Sequence, residues 1–314
     1  MVPYTATTTS RPRAYLRGVS YVLGEQEVGY ADIPGLPELA AKLGLAPNPG
    51  LWGWGSVRVT RRGLADLAAD SLHATLRAVG AAPPSVDALV LCSTRIPGPA
   101  DDHGIFLARV LAGPGLGDIA CYGQTLNRCL NLLTGLDLAR ALVLSGRHRR
   151  VLVATADAVA GGVPMSQFAL FSDAAASCLV AADPGTDGGY EILGCASAQD
   201  AAAMDPASQI SSDLAREVSD RLLAPPGLKL GDVTALAHLN LFRPLLVMKE
   251  RQAGFREDQL YLDNIPRTGH CFAADPLINL ADLAALGRVG EGHYCLLAAS
   301  VPGCRAGVLL QRVG

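Results

Sequence analysis

The chain has 314 residues, enough for two domains or two fused halves around large cores. Hydrophobic residues make up 50% and charged ones 18%, so the interior is large relative to the surface. A net charge of -3 gives no attraction to nucleic acid, and no apolar run approaches the roughly 20 residues of a membrane span.

In chain order, residues 14–23 read as a strand and 63–79 as an amphipathic helix ending near Gly80. Residues 87–93 form a buried strand, 103–112 a short helix and 118–122 a further strand. A long apolar-periodic run from Leu130 to Ser145 predicts a helix stopped by Gly146. Residues 151–156 and 174–182 read as buried strands, closed by the turn Asp183-Pro-Gly185. A second series follows: strand 189–198, helix 209–223, strand 233–241, helix 276–286, and strands 293–299 and 305–313. The alternation predicts an α/β protein, and the repeated order predicts a duplication with halves 1–185 and 186–314. The helices after Cys129 and at 276–286 are then counterparts, with N-termini facing a common centre.

Eight cysteines fall at 92, 121, 129, 178, 195, 271, 295 and 304, mostly in apolar runs. No C-x-x-C occurs and no Cys/His set has zinc spacing, so no metal site is expected. The start Met1-Val-Pro-Tyr-Thr lacks the apolar core of a signal peptide, and the expected setting is reducing and cytoplasmic. The cluster Arg147-His148-Arg149-Arg150 follows a helix end, where cations suit the dipole, and reads as a solvated turn.

Cys129 stands out by position. It joins the polar stretch Gly123-Gln-Thr-Leu-Asn-Arg128 to the long helix, and a helix N-terminus favours thiolate over thiol. A thiolate there is suited to attack an acyl carbon. His270 follows Gly269 in a loop, a setting in which a histidine is more often functional than in a core. Asp275 lies five residues further on and allows two readings. Asp275-Pro276 before an apolar-periodic run is a helix cap with proline at the first turn. A carboxylate beside His270 would also fix one imidazole tautomer, so that the ring can take a proton from an attacking group. His238 ends a buried strand, and both a core histidine and a functional one fit there.

Several stretches together resemble the thiolase superfamily, and within it the β-ketoacyl-acyl-carrier-protein synthase III-like enzymes. Cys129-Leu-Asn-Leu-Leu-Thr-Gly-Leu-Asp-Leu-Ala139 with Leu144-Ser-Gly146 resembles the family's nucleophile helix and its spacing. Arg150-Val-Leu-Val-Ala-Thr-Ala-Asp157, Leu170-Phe-Ser-Asp-Ala-Ala-Ala-Ser177, Ala237-His-Leu-Asn240, Thr268-Gly-His-Cys-Phe-Ala-Ala274 and Gly290-Glu-Gly-His-Tyr-Cys-Leu-Leu-Ala-Ala299 follow in the family's order. Cys121-Tyr-Gly123 mimics the family's Cys-Ala-Gly, but lies 25 residues before Gly146, too far for that helix.

The resemblance implies a thiolase fold, two pseudo-equivalent halves forming a layered αβαβα core, and a homodimer. It implies Cys129 as nucleophile and His270, Asp275 and His238 as catalytic partners. It also implies Trp52 or Trp54 against the coenzyme A adenine, since both lie in Gly50-Leu-Trp-Gly-Trp-Gly55. No tightly bound cofactor is expected; the substrate would be an acyl-CoA or an acyl-carrier-protein phosphopantetheine thioester. Two departures matter. The family's Gly-Asn loop has His270 in place of Asn, and Gly-His-x-x-x-x-Asp resembles an acyl-transferring, starter-loading branch of antibiotic pathways. The turn expected to give an oxyanion donor reads Ser300-Val-Pro-Gly-Cys304, and Pro302 has no N–H. Acyl transfer to a hydroxyl or amine is therefore the leading expectation. Decarboxylative condensation with a malonyl thioester, and a non-catalytic subunit of a heterodimeric synthase, stand as alternatives.

Overall fold

The computed structural model describes residues 12–159, 164–186 and 188–314; Met1-Val-Pro-Tyr-Thr lies outside these residues. The first half begins with β1 (Tyr15–Leu23). An excursion follows: β2 (Gln26–Gly29), α1 (Leu36–Lys42), α2 (Pro49–Trp52) and β3 (Ser56–Val59), with β2 and β3 paired antiparallel. Then come α3 (Leu64–Ala78), β4 (Ala88–Cys92), α4 (His103–Ala112), β5 (Ala120–Gln124), α5 (Asn131–Leu144), β6 (Arg150–Asp157) and β7 (Ala174–Ala181). The second half holds β8 (Gly189–Gln199), α6 (Ser212–Leu223), β9 (Val233–Ala237), α7 (Arg243–Gln252) and α8 (Asn264–Thr268). It ends with α9 (Asp275–Ala285), β10 (Tyr294–Val301) and β11 (Cys304–Val313).

Local chemistry accounts for these elements. β7 is buried at every residue and β4 and β6 at all but one, as expected of strands covered on both faces. Ser211 caps α6 by accepting from the Leu214 amide at 3.3 Å, with Asp213 in the first turn. α5 stops at Gly146, which has a φ of 73°.

Among the described residues the strands run β5-β4-β6-β7-β1-β8-β11-β10-β9 in one nine-stranded sheet. β1 joins the halves, pairing β7 on one side and β8 on the other through Tyr15↔Glu191 and Leu16↔Tyr190. α5 and α9 pack against strands of both halves and form the middle layer. α3 and α4 cover the outer face of the first half, and α6 and α7 that of the second. The layers are therefore αβαβα, the thiolase architecture. Leu132, Leu136, Leu277 and Leu280 are fully buried in that middle layer. Truncation of a buried leucine to alanine costs about 2–5 kcal/mol, so the layer is rigid enough to hold two helix ends in register. We read residues 1–185 and 186–314 as two repeats sharing this core.

The repeats are not equal. The first has strand order 3-2-4-5-1 in its own numbering, and the second lacks strand 3. In its place the isolated parallel bridge Leu236↔Leu260 touches β9. The strand expected over 233–241 stops at Ala237, because the Asn240 amide donates to the Asp275 side chain and not to a strand.

The duplication persists where the middle helices begin. α5 follows the 3₁₀ turn Arg128–Leu130 and α9 follows the 3₁₀ turn Phe272–Ala274. Arg128 and Phe272 both have a φ of 53°. The first residue of each helix reaches back four positions: Asn131 Oδ1 accepts from the Asn127 amide at 2.9 Å, and Asp275 Oδ1 from the Cys271 amide at 2.8 Å. The two turns touch each other, so both helix N-termini meet at one place.

Candidate active site

That meeting point brings Cys129, His270 and Asp275 together. Cys129 lies half-buried on the turn before α5. His270 is buried, and its backbone is clamped to the segment before β7. The His270 amide donates to Leu170 O at 2.7 Å, and the Ser172 amide to His270 O at 2.9 Å. Gly269 makes the approach possible: its φ is 60°, and a Cβ there would meet Leu170 O at 2.7 Å. Phe171 and Phe272 pack on the imidazole, with ring centroids 5.2 and 5.8 Å away.

Asp275 is completely buried and is not a helix cap. Ala274 occupies the N-cap position and no side chain caps there. The carboxylate instead collects four donors. Oδ2 accepts from His270 Nδ1 at 2.5 Å and the Asn240 amide at 2.7 Å; Oδ1 accepts from the Cys271 amide at 2.8 Å and Asn240 Nδ2 at 3.2 Å. The first turn of α9 adds the favourable end of the helix dipole. Behind it, Asn279 Nδ2 donates to Asn240 Oδ1 at 3.0 Å and to His238 O at 2.7 Å, and Asn264 Nδ2 donates to Asn279 Oδ1 at 2.8 Å. A buried chain of three asparagines thus fixes the carboxylate. Asp275 and Asn279, four apart in an apolar helix, were the visible sign of this chain.

With Nδ1 given to Asp275, the other imidazole nitrogen is the one available to Cys129, which lies close enough to act on the ring. Burial works against a charged imidazole here. The Asp275 and Cys129 charges and the hydrogen bonds to both outweigh it and raise His270 to about 10. The arrangement sets a carboxylate-backed imidazole beside the Cys129 thiol.

His238 does not join this cluster as expected. It is buried, and both ring nitrogens are engaged: Nδ1 lies 3.1 Å from Leu239 O and Nε2 lies 3.3 Å from Ser300 Oγ and from Glu250 Oε1. Nδ1 is positioned to donate to the Leu239 carbonyl, and Ser300 Oγ and the Glu250 carboxylate share the other nitrogen. Arg305 in turn donates to Ser300 Oγ at 2.8 Å and pairs with Glu250 at 2.6 Å. Burial lowers His238 to about 4, against the pull of Glu250. His238 is therefore neutral and has no N–H to offer an oxyanion or an acceptor. Sequence reading missed Glu250 and Arg305: Arg305 lies in the buried strand β11, whereas Glu250 sits on α7, whose exposed and charged residues hide it.

The two tryptophans stack on each other, with ring centroids 6.4 Å apart, and both pack on Phe242. Trp54 is 9% exposed, packs with Tyr30 and Phe242 in the core under α1, and borders a second cleft with Leu36 and Pro49. Trp52 lines a cleft of about 480 Å³ with Phe168, Ile210, Phe242, Leu245 and Lys249. The cleft contains neither Cys129 nor His270; Phe168 and Leu245, on its wall, also pack on the core cluster that Cys129 touches. Cys121 lies exposed on β5, away from this arrangement. At the β10–β11 tip, Gly303 has a φ of 72° and Pro302 precedes it, so any amide donor from this turn comes from another residue.

The comparisons with known proteins agree with the fold. The family model for 3-oxoacyl-[acyl-carrier-protein] synthase III matches residues 125–201, the stretch that contains Cys129. No curated protein matches by sequence. Among solved structures, the acyltransferase ChlB3 superposes with a TM-score of 0.79 at 18% identity, over 96% of this chain and 98% of that one. The 3-oxoacyl-[acyl-carrier-protein] synthase III of Aquifex aeolicus VF5 gives 0.77 at 15% identity, over 95% and 99%. Xanthomonas campestris OleA with bound lauric acid and lauroyl-CoA gives 0.78 at 13% identity, over 96% and 100%. The chain thus has the thiolase fold, and its residues 125–201 are similar to 3-oxoacyl-[acyl-carrier-protein] synthase III.

Proposed function

We propose that the protein is an acyltransferase that carries an acyl group on Cys129 and passes it to a hydroxyl or amine acceptor in secondary metabolism. The observation that supports this most is the Cys129–His270–Asp275 line, with Asp275 holding His270 in the tautomer that can accept a proton at the nitrogen facing Cys129. The donor is an acyl-CoA or an acyl-carrier-protein thioester, with Trp52 and Lys249 at the cleft where its carrier arm enters.

The Cys129 thiolate attacks the thioester carbonyl, giving a tetrahedral oxyanion. Collapse breaks the bond to the carrier sulfur, which leaves with the His270 proton. The neutral imidazole, its Nδ1–H held by Asp275, then takes the proton of the acceptor O–H or N–H. The acceptor attacks acyl-Cys129, and the sulfur leaves as thiolate beside the restored imidazolium.

Condensation fits this site less well. Decarboxylating a malonyl thioester calls for two donors on its carbonyl, a role that the family divides between His and Asn. Here the Asn position is His270, which is committed to Asp275, and His238 has no free N–H. The complete triad also speaks against a non-catalytic subunit. The protein acts as a cytoplasmic homodimer on this reading. Intact-protein mass spectrometry with a panel of acyl thioesters tests it: wild type gains one acyl mass and Cys129→Ala gains none. A panel that leaves wild type unmodified sinks the proposal.

A further inference from the structure

Arg128 adjoins the nucleophile and takes no part in the steps above, yet it is the most constrained residue of that turn. Its φ of 53° lies in the left-handed region, which a residue with a Cβ occupies only when its surroundings hold it there. The holding group is far away in sequence. Arg128 Nη2 donates to Pro302 O at 2.7 Å and lies 3.7 Å from Cys304 Sγ. Pro302 and Gly303 form the tip between β10 and β11, where Val301 pairs with Cys304.

This tip is a fixed point. The Asp200 amide donates to Gly303 O at 2.8 Å, and a Cβ on Gly303 would meet Asp200 O at 2.7 Å. On the strand side, the buried Arg305 holds Ser300 at 2.8 Å. The pseudo-equivalent turn of the second half makes a useful contrast. Phe272 has the same φ of 53°, but it is held by stacking on Phe171, with ring centroids 4.9 Å apart. Of the two matched turns, the one bearing the nucleophile is tied by a charged hydrogen bond to a backbone carbonyl.

We propose that Arg128 is a positioning residue that ties the Cys129 turn to the β10–β11 tip. It thereby sets where the sulfur, and the oxyanion that forms beside it, stand relative to the bound thioester. Such hydrogen bonds to a charged group are about twice as strong as neutral ones, and small misplacements of a reacting atom are costly in rate. The kinetic part of the test rests on the acyl-transfer reading; the alkylation part does not.

The test uses the full chain as wild type, Arg128→Lys, Arg128→Ala and Arg128→Gly. Single-turnover acylation by an acyl-CoA should fall roughly ten- to hundredfold in Arg128→Ala, with the half-saturating thioester concentration changed by less than about twofold. Added guanidinium should restore part of that rate, and Arg128→Lys should retain more than Arg128→Ala. Arg128→Gly suits the left-handed φ and should melt no lower than Arg128→Ala, yet lose as much acylation. In parallel, the pH profile of Cys129 alkylation by iodoacetamide should shift in the Ala and Gly variants relative to wild type. Wild-type acylation by the Ala or Gly variant would overturn the proposal, as would an unshifted alkylation profile. If no thioester acylates wild type, the acyl-transfer reading fails, and the alkylation profiles still decide the role of Arg128.

Discussion

Replacing Asp275 by asparagine removes one charge and leaves the shape intact. Its consequences follow from the four donors around the carboxylate. Oδ2 faces His270 Nδ1 and the Asn240 amide, and Oδ1 faces the Cys271 amide and Asn240 Nδ2. Whichever way the new amide turns, its NH₂ group meets two donors. An unmet buried donor costs about 1–3 kcal/mol, so the two together cost roughly 2–6 kcal/mol. One escape lowers that cost: the NH₂ takes the Oδ2 side, and His270 surrenders its Nδ1 proton and accepts from the amide. The ring proton then sits on the nitrogen facing Cys129, where a base is needed. An oriented histidine locked in the wrong tautomer loses about 10⁴ in turnover. We therefore expect Asp275→Asn to fold, with a lowered melting temperature, and to transfer acyl groups about 10³- to 10⁴-fold more slowly. The assay is a single-turnover chase of acylated enzyme with an alcohol or amine acceptor, beside a thermal melt. Transfer within about tenfold of wild type would refute the role assigned to the carboxylate.

Four further outcomes follow. His238→Gln should keep transfer within about tenfold of wild type, because neither ring nitrogen faces the reaction, while its melting temperature falls; a loss as large as that of Asp275→Asn would return His238 to the chemistry. Trp54→Ala should destabilise by about 3–5 kcal/mol, and Trp52→Ala should instead raise the thioester KM with a smaller stability change, as denaturant unfolding and initial rates will show. His270 is raised from 6.5 to about 10, so the stability it contributes is complete below pH 6.5 and is lost as pH rises through about 10. The wild-type melting temperature should fall over that interval, more steeply than that of Asp275→Asn. Asp157, buried at the end of β6, is raised to about 7, mainly by burial and against hydrogen bonds such as that from the Thr94 amide. Its contribution is complete below pH 3.8 and is lost as pH rises through about 7, so Asp157→Asn should gain stability relative to wild type between pH 5 and 8. An unchanged difference across that range would contradict the burial argument.

Much of the architecture is legible in the chain because buried strands and apolar-periodic helices recur in one order along it. The buried strands at 87–93, 151–156 and 174–182 read as continuous apolar runs, and α5 and α9 as apolar-periodic helices ended by glycine. What escapes is short or polar. β2 and β3 are four residues each, Gln26–Gly29 and Ser56–Val59, too brief for a period to register. α7 begins Arg243-Pro and carries charges along its length, which hides its packed face. The site divides in the same way. Cys129, His270 and Asp275 carry their chemistry in residue type and spacing. The state of His238 depends on Glu250 and Arg305, which the fold brings from 12 and 67 positions away, and no local pattern announces that. Trp52 and Trp54 are two residues apart in one motif and stack on each other, yet the first lines the large cleft and the second is 9% exposed.

The most direct measurement concerns the fate of the acyl group on Cys129. Acylated enzyme is divided between malonyl-carrier protein and an alcohol or amine acceptor, and carbon dioxide, β-keto product and acylated acceptor are quantified from each. Acylated acceptor is expected, with no β-keto product and no carbon dioxide above a Cys129→Ala control. Carbon dioxide release with a β-keto product would contradict it, and would assign this site to carbon–carbon bond formation.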